Sequence, residues 1–245
     1  MSKPTLFTSL SPALLHLYNV RECIVVVIDI LRATSTIATA LNNGAKEVIP
    51  VDSVEKCIRL GKEMACITAG ERDGKIAEGL QYGNSSFEYP REFVQGKILV
   101  LTTTNGTKLL HMAVAKGATE IITGSFLNFS AVCDHLVENK KNVILACAGW
   151  KDKINIEDTL FAGAVIQKLK DHFEINCDAS NMAACLYEQA QHDLFEFLKN
   201  NNASHYHRLM DFGLEKDIRH CLTPDIANVL PIYREGKLIL EKELN

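Results

Sequence analysis

Apolar positions along this chain switch repeatedly between a strand pattern and a helix pattern. Ile24-Val25-Val26-Val27-Ile28 is an unbroken β-branched run, which predicts a strand covered on both faces, as in a parallel sheet. Asp29, Arg32, Thr34, Ser35 and Thr36 follow at once, and Ile37 to Leu41 continues as a helix closed by Asn43-Gly44. Residues 46–51 read as a second strand. Ser53 caps a helix from Val54 to Met64, and residues 65–69 read as a third, short strand. The residues before 24 read as a lead-in with one helical turn opened by Ser11-Pro12.

The same order returns further along. At one constant offset Val25–Ile28 falls on Ile98–Leu101, Thr34 on Thr107, Ala40 on Ala113, Gly44-Ala45 on Gly117-Ala118 and Glu47–Ile49 on Glu120–Ile122. This predicts two duplicated βαβαβ units, at about 24–72 and 97–150. After them Asn155 caps a helix through Leu160, Ala164, Val165 and Leu169. Residues 178–199 read as one long amphipathic helix, with shorter ones at 204–210 and 214–221 and a terminal hairpin at 229–240. The expected fold is α/β: one compact domain, 1–245, with three α/β/α layers, a largely parallel sheet and a helical C-terminal part, 155–245.

The second copy changes the chemistry of its turn. Asp29-Ile30-Leu31-Arg32-Ala33-Thr34 becomes Thr102-Thr103-Thr104-Asn105-Gly106-Thr107, which keeps the hydroxyls and loses both charges. A helix start after a sheet strand favours an anion, and Arg32 adds a forked donor suited to phosphate or sulfonate. Asp29 would repel that anion unless a cation lay between them, so the first turn reads as half of a metal-assisted anion site. The Gly-rich segment from Gly70 to Ser86 has no regular period, reads as a functional loop and should wall the cleft.

Charge and cysteine use narrow the classes. A formal net charge of −4 gives no basic footprint for nucleic acid, and no apolar run is long enough to span a membrane. The 8 cysteines form no C-x-x-C pair and several lie in apolar segments, the habit of reduced thiols, so a cytoplasmic protein is expected. Nothing in the sequence excludes a homodimer. Cys66 and Arg72 match the C-x5-R spacing of cysteine phosphatases, but Glu71 inside the loop would repel phosphate and a buried strand cysteine fits better. His205-x-His207 lacks a third zinc ligand and reads as polar helix surface.

Asp29-Ile-Leu-Arg-Ala-Thr-Ser-Thr, Gly70-Glu-Arg, Gly83-Asn-Ser, Thr103-Thr-Asn-Gly-Thr, Cys147-Ala-Gly and Glu157-Asp-Thr together resemble the 2-phosphosulfolactate phosphatase family. The resemblance covers roughly residues 20–235. It implies a magnesium-dependent phosphoric monoester hydrolase that converts 2-phospho-3-sulfolactate to 3-sulfolactate and phosphate, a step toward coenzyme M. Magnesium prefers hard oxygen ligands, and Asp29, Glu71, Glu157 and Asp158 are the acids on turns or helix starts that offer them. Arg32, Thr34, Ser35, Thr36, Asn84, Thr104, Asn105, Gly106 and Thr107 are then expected to hold the phosphate and its neighbouring anion, and Arg72 the sulfonate or carboxylate. Two nucleophiles fit: water activated beside Glu157 or Asp158, or Asp29 itself. A different class also fits, a non-catalytic module for a dianionic metabolite, although it would have no use for four acids beside an anion.

Overall fold

The computed structural model describes residues 3–240 except Asp73; residues 1–2, 73 and 241–245 of the predicted domain therefore lie outside the described part. The strands are β1 (Leu6–Ser9), β2 (Cys23–Ile28), β3 (Glu47–Pro50), β4 (Ile67–Arg72), β5 (Lys75–Ile76), β6 (Ile98–Thr102), β7 (Glu120–Gly124), β8 (Asn142–Cys147), β9 (Pro231–Arg234) and β10 (Lys237–Leu240). Among the described residues they form a 10-stranded, mostly parallel sheet in the order β1-β8-β2-β7-β9-β10-β3-β6-β4-β5.

That order is symmetric about the β9–β10 hairpin. β2 pairs in parallel with β7 and β8, while β6 pairs in parallel with β3 and β4. Each half therefore takes its central strand from the other sequence unit. The hairpin joins the halves through antiparallel contacts, Ile232 opposite Ile122 on β7 and Leu238 opposite Val48 on β3. Every strand has a right-handed twist, which accumulates across a sheet this wide. The carboxyl ends of β2 and β6, opposed in a flat drawing, can thus approach each other over one face.

Strand alternation builds the layers. Val25 and Val27 face one core, together with Leu99 and Leu101 of β6. That core also holds the equivalent helices α1 (Ala33–Asn42) and α4 (Gly106–Ala115). The opposite side of β3 and β6 is covered by α2 (Val54–Met64), whose Cys57 packs on Val51 and Val100. A short helix, α3 (Arg91–Val94), leads into β6. Ile24, Val26 and Ile28 face the other core, with α5 (Phe129–Asn139) and α6 (Ile156–Leu169). The offset that superposes the two sequence units carries the bounds of α1 onto those of α4.

Three expectations need correction. The lead-in contains β1, which pairs with β8 from Leu6↔Val143 to Ser9↔Ala146. The segment after Gly70 is partly regular: β4 runs on to Arg72 and turns back as β5. The long helix over 178–199 is two helices, α7 (Asp178–Ala190) and α8 (Leu194–Asn200). The break is chemical, because the Asp193 carboxylate accepts from Glu196 N–H at 3.0 Å and starts α8 anew. Two further helices, α9 (Ser204–Asp211) and α10 (Glu215–Cys221), bring the chain back to the first turn.

Candidate active site

β2 ends at Ile28, and the turn behind it is locked by its own side chains. The Thr34 hydroxyl accepts from Asp29 N–H at 3.1 Å and donates to Asp29 C=O at 2.9 Å. Ser35 donates to Ile30 C=O at 2.9 Å, and Thr36 to Asn84 C=O at 2.9 Å. The Leu31–Arg32 peptide bond within this turn is cis. In the second turn Thr107 repeats the clamp: its hydroxyl accepts from Thr103 N–H at 3.2 Å and donates to Thr103 C=O at 2.9 Å. Thr34, Ser35, Thr36 and Thr107, expected on the ligand, thus shape the backbone in this structure.

The two turns meet. A Cβ added at Gly106 would lie 2.7 Å from Asp29 Oδ2 and 3.0 Å from Ala33 Cβ, so only glycine lets α4 start this close to Asp29. The neighbouring Asn105 Oδ1 accepts from Lys151 N–H at 3.1 Å and anchors the loop that follows β8.

The four acids converge electrostatically but have different duties. Asp158 Oδ1 accepts from Ile30 N–H at 2.9 Å and its Oδ2 from Gly149 N–H at 3.0 Å, which clips the ends of β2 and β8 together. Glu71 Oε1 accepts from the N–H and hydroxyl of Thr104 at 3.1 and 3.0 Å, and its Oε2 from Gly74 N–H at 3.0 Å. Glu157 is fully buried in the first turn of α6; its Oε1 meets His205 Nδ1 of α9 at 2.7 Å, and its Oε2 has no partner among the described residues. Asp29 Oδ1 accepts from Ala33 N–H at 3.3 Å. Burial pushes the Asp29 carboxyl up to about 6, with His205 and the Ala33 N–H pulling it down and Glu71 and Glu157 adding repulsion. Burial, then the charges of Asp29 and Glu157, hold Asp158 well above the usual carboxylate range.

Among the described residues no three His, Cys, Asp or Glu side chains are grouped to enclose a metal ion. An all-protein cage is therefore not formed. The carboxylate oxygens of this set that accept no hydrogen bond among the described residues are Glu157 Oε2 and Asp29 Oδ2. Two hard oxygens fit magnesium, which takes one or two carboxylates and completes its shell with water and phosphate.

Arg32 is almost fully buried and its Nη1 donates to Asp217 Oδ1 of α10 at 2.8 Å. It lines a cleft of about 230 Å³ with Glu71, Lys75, Asn84 and Glu88, and Asn84 Oδ1 there is buried without a partner among the described residues. Arg72 lies elsewhere: its Nη2 donates to Thr102 Oγ1 at 3.0 Å and it lines a separate cleft beside α4. Cys66 precedes β4 and Arg72 ends it, so six residues of extended chain hold them about 20 Å apart. They cannot act on one phosphate. Burial also pushes up the thiols of Cys66 and Cys147, the reverse of what a nucleophile needs.

His205 and Asp217 are the residues that the sequence reading missed. His205, read as polar surface, is buried on the side of α9 that carries Leu209, and Asp217 on the side of α10 that carries Cys221. Spacing of four residues from a buried apolar position was the available signal for both.

Residues 9–236 match the family model described as 2-phosphosulpholactate phosphatase. A protein of Thermotoga petrophila is 42% identical over 217 residues, 89% of this chain and 92% of its own length. Proteins of Caldanaerobacter subterraneus subsp. tengcongensis and Clostridium acetobutylicum are 40% and 39% identical, over 89% and 90% of this chain and 90% and 94% of theirs. All three are described as probable 2-phosphosulfolactate phosphatases. Over nearly its whole length, then, the chain belongs to the 2-phosphosulpholactate phosphatase family, a family of phosphoric monoester hydrolases.

Proposed function

We propose that this protein is a magnesium-dependent phosphatase of 2-phospho-3-sulfolactate, working in the cytoplasm on the route to coenzyme M. The observation that carries the metal reading is Glu157 Oε2, a fully buried carboxylate oxygen with no partner among the described residues, close in the field of Asp29. A buried carboxylate oxygen without a partner is expensive, and a divalent cation satisfies it. Magnesium, when bound, neutralises charge on the phosphoryl oxygens.

The chain does the rest by positioning. Phosphoryl transfer demands alignment and charge stabilisation more than covalent help. Asp217 fixes one arm of Arg32, which leaves the rest of a rigid guanidinium fork for the anion. His205 fixes the Glu157 carboxylate from the other side. Gly106 closes the second turn over Asp29, and the Glu71–Thr104 bonds hold that turn in place. Water is the favoured nucleophile. An Asp29 oxygen given to the metal is not free to attack phosphorus, and Asp29 Oδ1 is already engaged by Ala33 N–H.

Asp29→Asn tests the reading. It should lower phosphate release from 2-phospho-3-sulfolactate by at least ~100-fold, the scale of losing a main electrostatic contact to the reacting group. It should also weaken magnesium binding measured by calorimetry. The metal-free variant should be no less stable than the parent, because Asp29 is an acid under desolvation stress. Near-parental turnover at saturating magnesium would remove Asp29 from the site.

A further inference from the structure

The sheet order is symmetric about its hairpin, but the matching faces of α1 and α4 are treated differently. On α1, Thr39 Oγ1 meets His220 Nε2 at 3.3 Å and Ala38 packs with Leu127 and Ala227, so the C-terminal segment covers that face. On α4 the residues at the same offset are His111 and Met112, and they border an open cleft of about 450 Å³. Lys108, one turn earlier on α4, and Arg72, Thr103 and Thr104 complete its walls, with Asp52 as the one acid among them.

The donors around this cleft are built in. The Arg72 fork is held by Glu71 C=O at 2.6 Å and Thr102 Oγ1 at 3.0 Å, which fixes its plane and leaves further N–H donors. His111 Nε2 is buried and has no hydrogen-bond partner among the described residues. Lys108 Nζ is paired with Asp152 at 2.7 and 2.8 Å. The Glu71 carboxylate, tied to Thr104 and Gly74, stands between this cleft and the one that Arg32 lines.

We infer that the cleft over α4 is a second anion site, separate from that of Asp29, for a small tetrahedral oxyanion: phosphate, sulfate or a sulfonate group. Arg72 and Lys108 supply its donors, and the His111 ring forms part of its wall. The anion competes with Asp152 for Lys108. Asp152 follows Lys151, whose N–H holds Asn105 beside the catalytic turn, so occupancy of this cleft is felt at the loop next to the active site.

The test uses the full chain and three probes: inorganic phosphate, inorganic sulfate and methanesulfonate. Each is titrated while the His111 ring resonances are followed by NMR. Saturable shifts are expected, and the set of probes that produces them identifies the oxyanion. Lys108→Ala should weaken phosphate binding at this site roughly fivefold or more, the loss of one charge-assisted hydrogen bond. Asp152→Asn should strengthen it, because the competing carboxylate is gone. A His111 ring that none of the probes moves, or equal phosphate affinity in the parent and both variants, overturns the site.

Discussion

Gly106→Ala is the sharpest probe of how the two turns meet. Two effects oppose each other. Alanine is the better helix former by about 0.8–1 kcal/mol, and the first residue of α4 needs no positive φ. Against that, the new methyl would sit 2.7 Å from Asp29 Oδ2 and 3.2 Å from Asp29 Cβ, where ordinary contact begins at 3.4 Å. Asp29 cannot swing aside, since its N–H and C=O are clamped by Thr34 and its Oδ1 by Ala33. The turns must part by several tenths of an ångström. Overpacking of this kind costs about 1–3 kcal/mol, so the clash outweighs the propensity gain and the net loss should be about 0–2 kcal/mol. The effect on catalysis should be larger than the effect on stability, because a misplacement approaching 1 Å can cost about 100-fold in rate. Urea unfolding, with the midpoint shifted at constant slope, reads the first quantity, and steady-state phosphate release reads the second. A variant as stable and as active as the parent would show that the turns do not bear on each other in solution.

Asp217→Asn should destabilise the ligand-free protein by about 3 kcal/mol, since it strands the buried Arg32 guanidinium. Phosphate should raise the thermal midpoint of this variant more than that of the parent; equal shifts would mean that Arg32 does not meet the anion. Cys66→Ser and Cys147→Ser should keep phosphatase activity while EDTA abolishes it in the parent, and the opposite pair of results would revive a thiol mechanism. Glu120, held by His135 and Lys141, is pushed down to about 2, so its stabilisation is complete above the ordinary glutamate range, near pH 4.3, and is lost as pH falls toward 2. Glu120→Gln should cost about 1–2 kcal/mol at neutral pH, a figure reduced for the half-exposed Lys141, and should flatten the acid limb of a stability–pH curve; an unchanged acid limb would assign that limb to other groups.

Much of the architecture was legible because it is local. The β-branched run of β2, the Asn155 cap and the common offset of α1 and α4 are written in residue spacing. Pairing is not. Periodicity marks Val25 as a strand residue but does not say that its neighbours are Ile121 and Ile144 rather than residues of its own sequence unit. The same limit applied to the site. Asp29 stood out as an acid closing an apolar strand, whereas Asp217 and His205 reach the site only because α9 and α10 fold back across long sequence distances. The threonine hydroxyls are ambiguous in sequence for a simpler reason. A hydroxyl near a helix start serves its own backbone as readily as a ligand, and here Thr34 and Thr107 do the former.

The exchange of central strands bears on how the chain reaches its native state. Until residues 231–240 arrive, β7 and β3 are bare edges, and two half-sheets that each borrow a strand from the other unit lack the backbone ladder that joins them. Neither unit can finish its own core first, so the pairings that matter all span long loops, the circumstance that slows folding and prolongs exposure of sticky edges. Nascent chains arrested before Pro231 should accordingly stay sensitive to protease, and addition of the hairpin should make both halves resistant in a single step. Protection of one half ahead of the other would show that the borrowed strand is not needed to stabilise it.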